Sequence, residues 1–318
     1  MIGGLDPQAR ALLERQSGPA FHSLSVAEAR RAYREGRLAV SPPPVEMQEL
    51  RDFSFPGAAG DIMARYYRPL GEKPGEALPV AVYFHGGGWT CGDLDTHDSV
   101  CRGIAVHGRC AVVAVDYRMG PEHKFPAAVE DALAAVKWVS ANAAALDIDS
   151  GRLAVAGESA GGNLAAVAAI ALRESGPALA MQVLVYPVVD QASKTESLER
   201  FATGYSLTRE LLRWYQAQYL RDERDRVDWR ASPLRARDHS RLPPAYIVTA
   251  GFDPLLDEGK AYAERLAQSG VAVVYECFEG EIHGFLPMGG VIAAARHAHY
   301  RIGQMLRTRF GTFPGVRP

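Results

Sequence analysis

Residues 152 to 163, Arg-Leu-Ala-Val-Ala-Gly-Glu-Ser-Ala-Gly-Gly-Asn, constrain this chain more than any other stretch. A short apolar run, Leu153 to Ala156, breaks into glycines around Ser159 and resumes from Leu164 to Leu172 as an Ala- and Leu-rich helix. Gly157-Glu158-Ser159-Ala160-Gly161 therefore sits at a strand-to-helix turn, the G-x-S-x-G nucleophile-elbow pattern. Side chains two before and two after the serine would clash in so tight a turn, hence Gly157 and Gly161. The turn also aims the first N–H groups of the helix at the serine oxygen, where they can stabilise negative charge. Three fixed common residues arise by chance in about one chain of this length in ten, so it is the placement between strand and helix that gives the pattern weight.

A strand feeding a helix in this way belongs to a larger alternation. Residues 1–40 read as two helices, one begun by Asp6-Pro7 and one by the capping box of Ser25 and Glu28, closed by Gly36. Ser41-Pro42-Pro43-Pro44 then stiffens the link to an antiparallel hairpin, Val45 to Phe55 and Ile62 to Arg68. Next come a strand Val80 to Phe84, a helix near Ser99, a strand Ala111 to Val115 and a helix Pro126 to Val139, followed by the elbow. Further strands are expected at Met181 to Tyr186, Tyr246 to Ala250 and Val271 to Phe278, with a last helix through residues 290–309. Such alternation means a mostly parallel sheet of about eight strands with right-handed crossovers, an α/β fold. Between Val189 and Arg230 it lapses into a polar stretch and a helix, Thr208 to Leu220. That insertion follows a strand's carboxyl end, where open α/β sheets bind ligands. With the N-terminal helices it forms either a cap or a plain packing layer.

Composition excludes several functions. The 35 basic and 37 acidic side chains leave a net charge of -2 over 318 residues, with no basic run to mark a nucleic-acid or membrane surface. A small neutral substrate suits such a surface. The four cysteines, Cys91, Cys101, Cys110 and Cys277, have neither metal-ligand nor disulfide spacing and read as ordinary reduced thiols. The N-terminal residues lack a signal peptide's apolar core, and no apolar run is long enough to span a bilayer. A cytoplasmic protein without stable membrane association is expected. A homodimer is left open.

A serine alone is a poor nucleophile and needs a base, an acid behind the base, and donors for the oxyanion. The donors are sought in His85-Gly86-Gly87-Gly88-Trp89, directly after a strand, an H-G-G-G type of loop in which glycines let backbone N–H groups turn inward. Gly86, Gly87 and Ala160 are the expected donors. Since the elbow architecture orders its triad serine, acid, histidine, only four of the nine histidines qualify: His239, His283, His297 and His299. The last two fall in the final helix and read as surface residues, and His239 precedes a proline-lined approach to a strand. His283 follows a strand in a loop kept pliable by Gly284 and is the expected base. Asp253, just past the strand ending at Ala250, is the expected acid, with Asp257 in reserve. One Asp253 oxygen can cap the next helix while the other holds His283. Trp89, Tyr205, Leu207, Trp214 and Phe285 are the expected pocket walls.

Taken together, His85-Gly86-Gly87-Gly88-Trp89, Asp116-Tyr117-Arg118 with Pro121-Glu122-His123 and Phe125-Pro126-Ala127-Ala128, Gly157-Glu158-Ser159-Ala160-Gly161-Gly162-Asn163, Asp253-Pro254-Leu255 and His283-Gly284-Phe285 resemble the hormone-sensitive-lipase family of α/β-hydrolase carboxylesterases. The likeness covers residues 45–310. It implies the α/β-hydrolase fold, a Ser159, Asp253, His283 triad, and hydrolysis of short-chain carboxylic esters through an acyl-enzyme without a cofactor. It further implies a helical cap drawn from residues 1–44 and 190–230, over a hydrolase core of residues 45–189 and 231–318, with a small-molecule ester as the partner. Bacterial members usually carry Asp before the nucleophile; Glu158 here leaves the subfamily open. Amidase or acyltransferase work would share the machinery. A non-catalytic receptor on this scaffold, as in the plant gibberellin receptors, would have lost the histidine that His283 supplies.

Overall fold

The computed structural model describes residues 4–15, 19–73 and 75–312. Helix α1 (Pro7–Arg15) starts at Asp6, whose carboxylate accepts the Gln8 N–H at 2.7 Å. Helix α2 (Val26–Val40) opens with the capping box, Ser25 accepting the Glu28 N–H and Glu28 accepting that of Ser25. It does not close at Gly36 but runs on to Val40. One glycine weakens a helix by only about 1 kcal/mol, whereas the prolines from Pro42 onward cannot continue it.

The antiparallel hairpin is β1 (Met47–Gly57) and β2 (Gly60–Pro69). Then β3 (Leu78–Phe84), α3 (Asp98–Gly108), β4 (Ala111–Asp116), α4 (Ala127–Ala141), β5 (Ile148–Glu158), α5 (Ala160–Leu172) and β6 (Leu179–Val185) alternate. The insertion carries a short helix α6 (Glu196–Arg200) and α7 (Arg209–Tyr219), the latter capped by the Thr208 hydroxyl. The chain closes with β7 (Ala245–Phe252), α8 (Leu256–Gln268), β8 (Val273–Ile282) and α9 (Ala293–Phe310). One 8-stranded sheet results, in the order β1-β2-β4-β3-β5-β6-β7-β8. Its strands from β4 to β8 are parallel, and β2 joins β4 antiparallel.

Every residue of β3 is buried, as a parallel strand covered on both faces requires. Its side chains alternate: Val80, Val82 and Phe84 belong to the buried layer that holds α4, α5 and α8, while Ala81 and Tyr83 belong to the layer of α3 and α9. Helix α5 is apolar all round and lies fully within the first of these layers. Register pairs Phe84 with Gly157 and Glu158 with Val185, so the ends of β3, β5 and β6 coincide at one edge of the sheet. Among the described residues, no helix is long and apolar enough to cross a membrane.

Candidate active site

The chain leaves β5 at Glu158 and enters α5 at Ala160, so Ser159 alone makes the turn, with φ 57° and ψ -118°. A non-glycine residue at such an angle is strained. It is held by packing: a Cβ on Gly157 would strike the Gly161 carbonyl, and one on Gly161 the Phe84 carbonyl. The Ser159 N–H donates to Val185 at 2.9 Å, tying the turn to β6.

His283 lies just past β8 and brings the distant parts together. Its Nε2 is 2.9 Å from Ser159 Oγ and its Nδ1 is 2.7 Å from Asp253 Oδ2. The other Asp253 oxygen accepts the Leu255 N–H at 2.8 Å, so the carboxylate serves the start of α8 and the imidazole at once. Asp253 is fully buried and His283 nearly so, while Ser159 is half-buried. Asp257 points elsewhere, accepting the Ser197 N–H at 2.7 Å. His239 is buried against the Pro233 carbonyl, and His297 is exposed on α9. His299, expected at the surface, is buried because α9 presses it against the histidine loop, where Nε2 lies 2.9 Å from the Leu286 carbonyl. Such an arrangement can deprotonate a serine and return the proton to a leaving group.

The oxyanion turn departs from expectation in one respect. The Gly86 N–H donates to Glu158 Oε1 at 2.5 Å and so is already committed. The N–H groups of Gly87, Gly88 and Ala160 have no partner among the described residues. Gly87 and Gly88 adopt φ 114° and 62°, and side chains there would meet the Cys91 carbonyl and the Tyr215 ring.

A cavity of about 790 Å³ opens above Ser159 and His283, walled by the oxyanion turn, α2, the 205–208 segment and α7. Trp89, Tyr205 and Leu207 line it, whereas Trp214 and Phe285 do not. Trp214 turns outward, edge-on to Phe21 at 5.9 Å, pinning α7 to the N-terminal segment. Phe285 is buried beneath the histidine loop between Tyr186 and Phe278.

Residues 81–287 match the model of the α/β-hydrolase-fold family Abhydrolase_3. The chain belongs to this family. Over 303 residues, 91% of the chain and 80% of the relative, it is 43% identical to the carboxylic ester hydrolase LipN of Mycobacterium tuberculosis. It is 38% identical to the ethyl acetate hydrolase of Pseudomonas putida, across 92% of the chain and 95% of that protein. An α/β-hydrolase enzyme from the metagenome of Lake Arreo superposes with a TM-score of 0.93 at 40% identity, covering 97% of this chain and 99% of the other.

Several residues of this α/β-hydrolase site escaped the sequence. Glu158 sits at the root of the oxyanion turn, buried, accepting from the Gly86 N–H and the Tyr83 hydroxyl. His97 Nε2 lies 2.7 Å from Glu158 Oε1, close enough to pair by charge though not aligned as a hydrogen bond. Burial alone would push the Glu158 carboxyl up; His97, Tyr83 and the Gly86 N–H outweigh it and hold the group below the ordinary carboxylate value. His85, stacked between Tyr117 and His97, is pushed down to about 4 by burial. The Tyr117 hydroxyl donates to the His85 carbonyl at 2.7 Å, giving the Asp116-Tyr117-Arg118 motif its place behind the turn. Tyr83 and Glu158 do carry a signal, polarity inside otherwise apolar strands, whereas His97, in the loop before α3, carries none.

Proposed function

We propose that this chain, a carboxylic ester hydrolase by family, hydrolyses small esters of short-chain carboxylic acids through an acyl-enzyme on Ser159. The observation that carries this is His283 bridging Ser159 Oγ and Asp253 below the cavity, at 2.9 and 2.7 Å. His283 Nε2 takes the Ser159 proton as the oxygen attacks the ester carbonyl carbon. The resulting oxyanion is met by the N–H groups of Gly87 and Ala160, with Gly88 adjacent, at the positive end of α5. Asp253 keeps the Nδ1 proton in place and stabilises the imidazolium. That imidazolium protonates the departing alcohol, leaving acyl-Ser159. Water then gives a proton to the same nitrogen, attacks the acyl carbon, and releases the acid and free Ser159.

Residues 19–44 and 190–230 act as the cap, since α2 and α7 roof the cavity, while α1 packs against β8 and stands outside it. Aromatic rings of Tyr33, Tyr205 and Tyr215 line that roof and favour acyl chains of about two to eight carbons over longer ones. A panel of p-nitrophenyl esters graded by acyl length, run with wild type and Ser159→Ala, tests reaction and pocket together. Turnover should peak at short chains and vanish in Ser159→Ala with the melting temperature nearly unchanged. Retained turnover in Ser159→Ala overturns the nucleophile, and a preference for long-chain emulsified triglycerides overturns the pocket.

A further inference from the structure

Helix α2 does more than roof the cavity. Arg30, Tyr33 and Arg37 fall on one face, three, four and seven residues apart, so Arg30 and Arg37 are separated by roughly 10 Å along the axis. Arg30 Nε donates to the Thr90 carbonyl at 2.8 Å, and its Nη2 to the Gly120 carbonyl at 2.9 Å. Its fork also grips both Glu122 oxygens, at 2.8 and 2.6 Å, which fixes the guanidinium's plane. Thr90 ends the turn that carries Gly87 and Gly88. Seven residues on, Arg37 Nη1 donates to the carbonyl of Gly284, the residue after His283, at 2.8 Å. Between them Tyr33 stacks on His97 at 6.4 Å, with the Arg37 guanidinium 5.0 Å above the Tyr33 ring. One rigid helix thus touches both loops that must converge on Ser159.

We propose that α2 is a strut setting the separation of the oxyanion turn and the histidine loop, with Arg30 and Arg37 as positioning residues for ester hydrolysis. The role rests on the ester-hydrolase reading given above. Neither loop is regular structure, so each carbonyl needs an outside donor, and a misplacement of about 1 Å at a reacting group can cost a hundredfold in rate. Displacing α2 would therefore uncover the cavity and disarm the site in one motion.

The test uses the full chain with Arg30→Met, Arg37→Met and Arg37→Lys, each checked by melting, with p-nitrophenyl butyrate as substrate and amide hydrogen exchange as a second readout. Both methionine variants should lose kcat by about tenfold or more while KM stays within about twofold. Arg37→Lys, which keeps a donor for the Gly284 carbonyl, should recover much of the loss. Exchange should quicken at residues 283–288 in Arg37→Met and at 86–91 in Arg30→Met, and not elsewhere. An unchanged kcat in folded variants, a change in KM alone, or exchange that quickens uniformly along the chain would each overturn the strut. If the wild type turns over no ester, it is the reaction assignment that falls, and local exchange by itself then decides whether the two arginines hold the loops.

Discussion

Beneath the cavity, Ser159 and Asp253 stand at the ends of β5 and β7, placed by strand register and by glycines packed against carbonyls; above it, α2 and α7 are tied down by long side chains. The floor allows almost no alternative, since its tightest contacts, Gly157 on Gly161 and Gly161 on Phe84, are backbone against backbone. The roof rests on contacts that end in flexible groups, such as Arg37 on Gly284 or Trp214 on Phe21. The nucleophile and its acid are thus placed by packed backbone, and the shape of the cavity, with the final approach of the two loops, by side chains. Changes to the floor should act on kcat without altering selectivity, and changes to the roof should do both to a lesser degree.

The largest effect should come from the floor's acid. Asparagine at Asp253 can still accept at one oxygen but no longer stabilises the imidazolium or enforces the Nδ1 proton, so kcat should fall by up to about ten-thousandfold. Asp257→Asn, measured beside it, should change kcat little, because that carboxylate faces Ser197. If Asp257→Asn collapses and Asp253→Asn does not, the acid sits on the wrong residue and the comparison of floor and roof loses its anchor.

Next in size is the oxyanion turn, where floor meets roof. Gly87→Ala places a methyl group against the Cys91 carbonyl at φ 114°, so the turn must shift. The expected loss in kcat is about a hundredfold, the scale of one displaced oxyanion donor, with KM less affected. An unchanged kcat in a folded variant would mean that these glycines only reverse the chain.

What the sequence made legible follows the same division. The elbow, the sheet and the Ser159, Asp253 and His283 positions were readable because each is signalled locally: an apolar run, a glycine spacing, a loop at a strand end. Nothing nearby in sequence reveals that Glu158, 72 residues on, takes the Gly86 N–H. Reading Gly36 as the stop of α2 overweights a residue that a helix interior tolerates; the prolines from Pro42, just as legible, set the true end. Residue type alone puts Trp214 and Phe285 in the pocket, yet an aromatic ring on a short helix or loop can face either way, and tertiary packing turns both aside. His299 looked like a surface residue for the same reason: the groove that buries it is made by the histidine loop, not by α9.

The smallest effect should come at the joint between the two regions. Glu258, in the first turn of α8, is buried and accepts the N–H groups of Val189 at 2.8 Å and Asp190 at 3.3 Å, where the chain leaves the sheet for the insertion. Burial pushes its carboxyl up to about 8 from an ordinary 4.5, against the opposing pull of those N–H groups. The folded chain therefore holds this proton across a range in which the unfolded chain has lost it. The stabilisation is full below about 4.5 and drains away as pH rises towards and past 8. Glutamine offers the same N–H groups an oxygen and carries no charge at any pH. The melting temperature of Glu258→Gln relative to wild type should therefore climb by several degrees between about pH 5 and pH 9, since a shift of this size is worth several kcal/mol. Because many groups titrate over that span, only the difference between the two proteins isolates this one. A flat difference, or one in which glutamine loses ground at alkaline pH, would mean that the carboxylate is ionised in the fold. The roof would then be fastened to the floor by charge-assisted bonds, and this joint would behave like the arginine ties of α2 instead of like the packed elbow below.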